Sequence, residues 1–370
     1  MYNVLEDDGS VPRKDEILMR LSKIFADGLI IQANKPIHIF GVGCGTATAE
    51  IAGSKGTTTT DIEKWCITLP PHDYGGPYTL TVCMNDHTVQ ITDVWFGDVY
   101  MISGQSNIQF KMLNTNTPRE YYKANESLRM YSVDLLVDYG KHVMTDNGWM
   151  SLDGDGNLVP VRGEHFFSKD GWVPAREDEI QFWSAIGYLV GNELQERTGR
   201  KIGLVNCYQS GSAIQTWIPR NLLTNEDRFK YSDSRANQNG VLYEEMVETI
   251  TPFSFNSVIW YQGEHNSICE QPDHYSRLLK LMITSWSKSF LDSKLPFIVI
   301  QLPDCIERLE SDGGRWRRVQ TAQEEVCSEL DQAYLVVSRD VCENDDMHPL
   351  TKLPLAMRIA KSIQDNILNK

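Results

Sequence analysis

No stretch of this 370-residue sequence approaches the roughly 18 uninterrupted apolar residues that a membrane-spanning helix needs. The opening "MYNVLEDDGSVPRKDE" has no basic segment leading into an apolar one, so no export signal is legible and a soluble, cytoplasmic protein is expected. Eight cysteines (Cys44, Cys66, Cys83, Cys207, Cys269, Cys305, Cys327, Cys342) are irregularly spaced, with no C-x-x-C pair. That argues against a disulfide framework and for reduced, mostly buried thiols. Basic residues are outnumbered 35 to 50, for a formal charge of -15. A nucleic-acid backbone or an anionic membrane surface is therefore disfavoured, and neutral substrates fit most easily.

Several signatures are also missing. There is no G-x-S-x-G elbow, no G-x-x-x-x-G-K-[ST] and no H-E-x-x-H, which removes the usual marks of an α/β-hydrolase, a P-loop enzyme and a zincin. The eight histidines show no metal-ligand spacing. "LDGDGNL" at Leu152 to Leu158 is acidic enough to bring calcium to mind but lacks a full EF-hand loop.

What is present falls into two patterns. After a tail over residues 1–16, residues 17–94 alternate apolar and polar in short runs such as "TATAEIAG", "EKWCITLP" and "PYTLTVCM", broken by Gly, Pro, Asn and Asp. This predicts a small β-sandwich. From residue 95 to 370, the apolar runs "VYMIS", "KIGLVN", "NSVIWY", "PFIVIQ" and "AYLVVS" alternate with helical stretches. That is the pattern of a parallel sheet with crossover helices. One helix has an apolar stripe of Phe182, Ile186, Leu189, Val190 and Leu194, with Gly199 as its C-terminal cap. Residues 111–180 lack clear periodicity and are expected to form a long functional insert or lid.

Ligands of an open α/β sheet gather outside the carboxyl ends of its strands, so the residues delivered there decide the chemistry. The first strand ends in "SGQSN", the second in "CYQSGSAIQTW" and the third in "QGEHN"; the last leads through "SRDVCENDDMHP". A serine hydroxyl becomes a nucleophile when a base takes its proton and a carboxylate fixes that base. Ser106, His348 and Asp345 are the candidates. Oxyanion donors are available in the backbone N–H of Ser106 and Gly211 and in the side-chain amide of Gln262 or Asn266. Alone, each has a plainer reading: Ser106 as a turn serine or helix cap, Gly211 as a turn glycine, Glu264 as a cap and His265 as a packed or surface histidine. Their coincidence at successive strand ends favours catalysis.

"GQSN", "WYQGEHN" and "DDMHP" in this order resemble the carbohydrate-acetylesterase branch of the SGNH hydrolases, the sialate O-acetylesterase-like group. "IFADGLIIQANKPIHIFGVG" and "VWFGDVYMISGQSN" extend the resemblance over nearly the whole chain. It implies an SGNH-type, flavodoxin-like parallel sheet with flanking helices and a small N-terminal β-domain. Ser106 matches the nucleophile, His348 the base, Asp345 the acid and Gly211 the oxyanion glycine, with Gln262 favoured over Asn266 as third donor. Ser210-Gly211-Ser212 stands where the group has Gly-Gly-Thr, and Ile108 replaces a methionine.

The expected reaction is two-step hydrolysis of a carbohydrate acetyl ester, with no metal or organic cofactor. Gln105, Asn107, Tyr208, Trp217, Glu264, Trp149 and Trp172 are candidate substrate contacts, and Phe166, Phe167 and Tyr261 lie in similar segments. Acetylated hemicellulose fragments derived from mannan or xylan are the first expectation, and O-acetylated sialic acid the alternative, with Arg119, Arg162 or Arg176 to meet its carboxylate. An esterase for longer acyl chains and a non-catalytic carbohydrate-binding protein are the competing classes. No nucleic-acid or membrane partner is expected, and a homo-oligomer is allowed.

Overall fold

The computed structural model describes residues 19–61, 64–134, 142–145, 148–152, 158–160, 171–228, 235–268 and 272–369. The N-terminal strands are β1 (Arg20–Leu21), β2 (Ile30–Gln32), β3 (Ile37–Val42), β4 (Gly45–Ile51), β5 (Ser54–Thr60), β6 (Lys64–Leu69) and β7 (Gly75–Met84). β1, β3 and β6 form one antiparallel sheet, while β5, β4 and β7 extend from the following strand, β8 (His87–Gly104). Period-two burial is plain in β6, where Trp65, Ile67 and Leu69 are buried and the residues between them exposed. A Cβ at Gly56 of β5 would lie 2.6 Å from Ile67, so the two sets of strands press face to face there.

β8 is 18 residues long and belongs to both patterns. Its first part forms a hairpin with β7 and its last part pairs in parallel with later strands, so the boundary expected at Trp95 falls inside one continuous strand. Next come β9 (Asn125–Ser132), then β10 (His142–Thr145), β11 (Gly148–Leu152) and β12 (Leu158–Pro160), which among the described residues form a three-stranded sheet of their own. β13 (Val173–Ala175), β14 (Ile202–Tyr208), β15 (Ser257–Tyr261), β16 (Phe297–Ile300) and β17 (Ala333–Val336) complete the set.

The large sheet runs β13-β9-β14-β8-β15-β16-β17, parallel throughout except for β13 at the edge. Its central strands are buried on both faces, as sheets covered by crossover helices require. The helices are α1 (Ser106–Gln109), α2 (Ala185–Thr198), α3 (Glu264–Ile268), α4 (Tyr275–Ser289), α5 (Ile306–Ser311), α6 (Arg315–Glu329) and α7 (Leu353–Ile363). The observed architecture is an α/β fold: a large mixed sheet flanked by helices, with smaller N-terminal strands. No helix among the described residues is long and apolar enough to cross a membrane.

α2 begins where Ser184 Oγ accepts the Gly187 N–H at 3.0 Å and stops at left-handed Gly199. The insert 111–180 differs from expectation, because it contributes β9 to the sheet beside β14. "NESLRMYS" mixes polar and apolar residues without a clean period, and its place in the sheet comes from tertiary pairing. α4 anchors the other flank: Trp286 makes edge contacts with Trp217 and Trp260, ring centroids 6.3 and 5.7 Å away. Such pairs add about 0.5–1.5 kcal/mol each beyond area burial.

Candidate active site

The sheet reverses direction around β8. The chain builds β14 on one side of it and then crosses to β15 on the other, the switch in strand order at whose carboxyl end ligands of such sheets bind. Gly104 closes that strand with φ +133°, and a Cβ there would lie 2.1 Å from the Tyr261 carbonyl oxygen. Only glycine lets β8 approach the end of β15 so closely. The Gln105 N–H then donates to the same carbonyl at 3.0 Å, and α1 begins at Ser106.

His348 arrives from the loop after β17, 242 residues away in sequence, and its Nε2 lies 2.7 Å from Ser106 Oγ. This is nucleophile-to-base distance. Burial holds the imidazole below its ordinary pKa; Asp346 pulls it up and Lys352 pulls it down. The ring is therefore neutral near pH 7 and able to accept a proton.

The carboxylate next to His348 differs from expectation. Asp346 Oδ1 accepts the His348 backbone N–H at 2.8 Å. Asp345 is exposed, and no hydrogen bond joins it to the His348 ring among the described residues. The loop uses the nearer aspartate to fix its own backbone, as short acidic side chains do in turns.

The two amide candidates for the oxyanion also need correction. Gln262 is fully buried, and its Nε2 has acceptors in Gln105 Oε1 at 3.1 Å, Ser212 O at 3.0 Å and Asn266 Oδ1 at 2.8 Å. Asn266 Nδ2 donates to Gln215 Oε1 at 2.9 Å. Gln262 thus has acceptors enough for both of its N–H groups, while Asn266 spends one of its two on Gln215. They join the loops after β8, β14 and β15. The backbone donors are placed differently. Ser106 opens α1, where helix geometry leaves its N–H without an intrahelical acceptor. Gly211 is exposed with φ +68°, in a turn held to α1 by Ser210, whose N–H and Oγ both reach Gln109 Oε1.

Most proposed substrate contacts are interior groups. Gln105, Asn107, Tyr208, Trp217, Glu264 and Trp172 are all buried, as is Tyr261. The Trp217 indole donates to Ser212 Oγ, and that of Trp172 donates to Ile24 O, far along the chain in the N-terminal region. Arg119 lies over the Tyr122 ring and Arg176 pairs with Glu179. The side chain of Trp149, with Phe166, Phe167 and Arg162, lies outside the described residues, as does most of the "LDGDGNL" segment.

Asn107 takes another role. Its Nδ2 donates to Glu264 Oε1 at 2.6 Å and to the Met347 carbonyl at 2.8 Å, and its Oδ1 accepts from Lys352 Nζ at 2.7 Å. Burial pushes Glu264 up to about 7 and pulls Lys352 down to about 8. Sequence reasoning passed over Lys352. Its only signal is a cation immediately ahead of a helix whose N-terminus disfavours one.

A serine at the end of a central strand with a histidine nitrogen 2.7 Å from its hydroxyl is the pairing that serine-hydrolase chemistry requires. Residues 160–364 match the family model described as "Carbohydrate esterase, sialic acid-specific acetylesterase", and the chain belongs to that family. The match includes Gly211, Glu264 and His348, while Ser106 precedes it. The chain is 24% identical over 385 residues to the sialate O-acetylesterase of Rattus norvegicus, covering 87% of this chain and 68% of that protein. It is 26% identical over 361 residues to the sialate O-acetylesterase of Homo sapiens, covering 87% and 65% respectively. Among solved structures, a carbohydrate acetylesterase from Xanthomonas citri is similar with a TM-score of 0.75 and 25% identity, over 95% of this chain and 76% of that one.

Proposed function

We propose that this protein hydrolyses acetyl esters of carbohydrates on an SGNH-type scaffold, with Ser106 as nucleophile and His348 as base. The observation that carries the reading is the 2.7 Å contact between Ser106 Oγ and His348 Nε2 at the sheet's switch point. Ser106 Oγ attacks the acetyl carbonyl as His348 takes its proton, and the oxyanion is met by the Ser106 and Gly211 N–H groups. The imidazolium then gives that proton to the departing sugar oxygen, leaving an acetyl-serine. Water attacks in turn, its proton going to His348, and acetate leaves as the serine is restored. Asp345, three residues ahead of the base, is assigned as the acid whose carboxylate would accept the Nδ1–H hydrogen bond.

The substrate favoured is an O-acetylated sialic acid. The family description and the names of the curated relatives both support it, and neither supports the expected mannan or xylan fragments. Acetate release from O-acetylated sialic acid, set against acetylated xylo- and manno-oligosaccharides, tests the choice. Ser106→Ala is expected to fold normally and lose about a thousandfold or more in kcat. Near-normal turnover by that variant removes Ser106 from the reaction, and a preference for the hemicellulose esters removes the sialate assignment.

A further inference from the structure

Among the described residues, Lys352 is the only lysine wholly withdrawn from solvent. It stands just ahead of α7, where unpaired N–H groups oppose a cation. Desolvation and the helix dipole both disfavour an ammonium there, so the position calls for partners. The direct one is Asn107 Oδ1. The Phe110 and Tyr261 rings lie 4.9 and 5.8 Å from Nζ, and the charges of Glu264, Glu343 and Asp346, with the Cys342 thiol, bear on it from the surrounding loops and α3.

Asn107 follows the nucleophile, and its amide reaches the carbonyl of the residue before His348. The orientation that makes this link needs an acceptor for Nδ2 and a donor for Oδ1. Met347 O and Glu264 supply the first; Lys352 alone supplies the second. Phe110, under the ammonium, also lies parallel to the imidazole at 6.4 Å between centroids. We propose that Lys352 is a positioning residue: its ammonium holds Asn107 in the one orientation that ties the Ser106 helix to the His348 loop. The idea rests on the Ser106–His348 reading and adds a residue to it. The same positive charge helps keep His348 neutral at working pH.

The test follows the rate at which Ser106 is phosphonylated by a fluorophosphonate, together with kcat, KM and the pH profile for 4-nitrophenyl acetate. Lys352→Met keeps the volume but removes the ammonium and leaves Asn107 Oδ1 without its donor, so its fold is checked first by circular dichroism. It is expected to slow phosphonylation and lower kcat by about tenfold or more while KM stays within about threefold. Its acidic limb moves to higher pH, because a cation that lowered the imidazole pKa is gone. Lys352→Gln restores a donor to Asn107 without the charge, so it recovers rate but keeps the displaced limb. It also decides the matter should Lys352→Met not fold.

Wild-type rates and an unmoved limb in the folded variants overturn the proposal. A wild-type enzyme that is phosphonylated yet releases no acetate from any acetylated sugar overturns the substrate reading and leaves this test intact. One that is not phosphonylated overturns both.

Discussion

Replacing Glu264 with glutamine removes a titration that the fold has displaced. The carboxyl is 1% exposed, with Oε1 accepting from Asn107 and Oε2 buried without a hydrogen-bond partner. Burial raises its pKa from 4.5 to about 7, against the opposing pull of Asn107 and Lys352. The folded protein therefore keeps a proton that the unfolded chain releases above pH 4.5. Stability from this group is complete below that value and is lost as pH rises through 7. Each pKa unit is worth about 1.4 kcal/mol, so the loss amounts to about 3 kcal/mol by pH 7. Glutamine keeps the Oε1 acceptor and the shape but does not titrate. Urea unfolding at half-unit steps from pH 4.5 to 7, at fixed ionic strength, is expected to show the variant gaining about 3 kcal/mol on the wild type. Carboxylates common to both proteins cancel, and Lys352, displaced to about 8, lies above the window. A difference that stays flat refutes the reasoning. A slope of opposite sign means that Glu264 is ionised throughout and stabilised as an anion.

Two other expectations follow from the same site. Gly104→Ala puts a Cβ 2.1 Å from the Tyr261 carbonyl at φ +133°, so the strand end must move; a fall in Tm and a slower phosphonylation of Ser106 are expected, and an unchanged Tm contradicts the geometry. Asp345→Asn is expected to cut kcat by about a hundredfold or more, whereas Asp346→Asn keeps an acceptor for the His348 N–H and mainly moves the acidic limb of the pH profile to lower pH, because Asp346 now raises the imidazole pKa. A reversed pair of effects assigns the acid's part to Asp346.

Strands and helices were legible where one period ruled. β6 alternates cleanly, and α2 ends at the expected Gly199, although it starts only after Ser184, so that Phe182 of the expected stripe lies in a short turn ahead of it. β5 and β9 were not legible, because "SKGTTTT" and "NESLRMYS" owe their pairing to neighbours and carry little apolar pattern of their own. That Ser106 and His348 meet could be read from the strand-end rule, since both follow strands of the parallel sheet at its carboxyl edge. The partners of their neighbours could not. Asp345 and Asp346 are adjacent and chemically identical, and only the path of the loop decides which one binds the backbone. Gln262 looks like a donor in sequence because nothing there shows that its N–H groups already have acceptors in Gln105, Ser212 and Asn266.

The use of amides has a physical reason. Four loops must meet at the carboxyl ends of the strands, and each brings backbone groups that the sheet no longer pairs. A carboxylate or an ammonium bridging them would carry the full cost of a buried charge, whereas an amide offers donor and acceptor together at zero charge. Gln262 bridges the ends of β8, β14 and β15 in this way. Gln323 extends the pattern, its Nε2 reaching the Gln262 carbonyl at 3.0 Å and its Oε1 accepting from Leu302 N after β16. Asn107 completes it toward the His348 loop, and only there do charged groups, Glu264 and Lys352, enter the network, one at each end of the same amide. Buried networks of this kind rigidify where their members are satisfied, as the amides here are through Gln262 and Gln323, whereas Glu264 Oε2 at the charged end has no partner. The amides thereby steady the loops that bring Ser106 Oγ and His348 Nε2 to 2.7 Å, and the charged end beside that pair is the place where pH acts on the geometry.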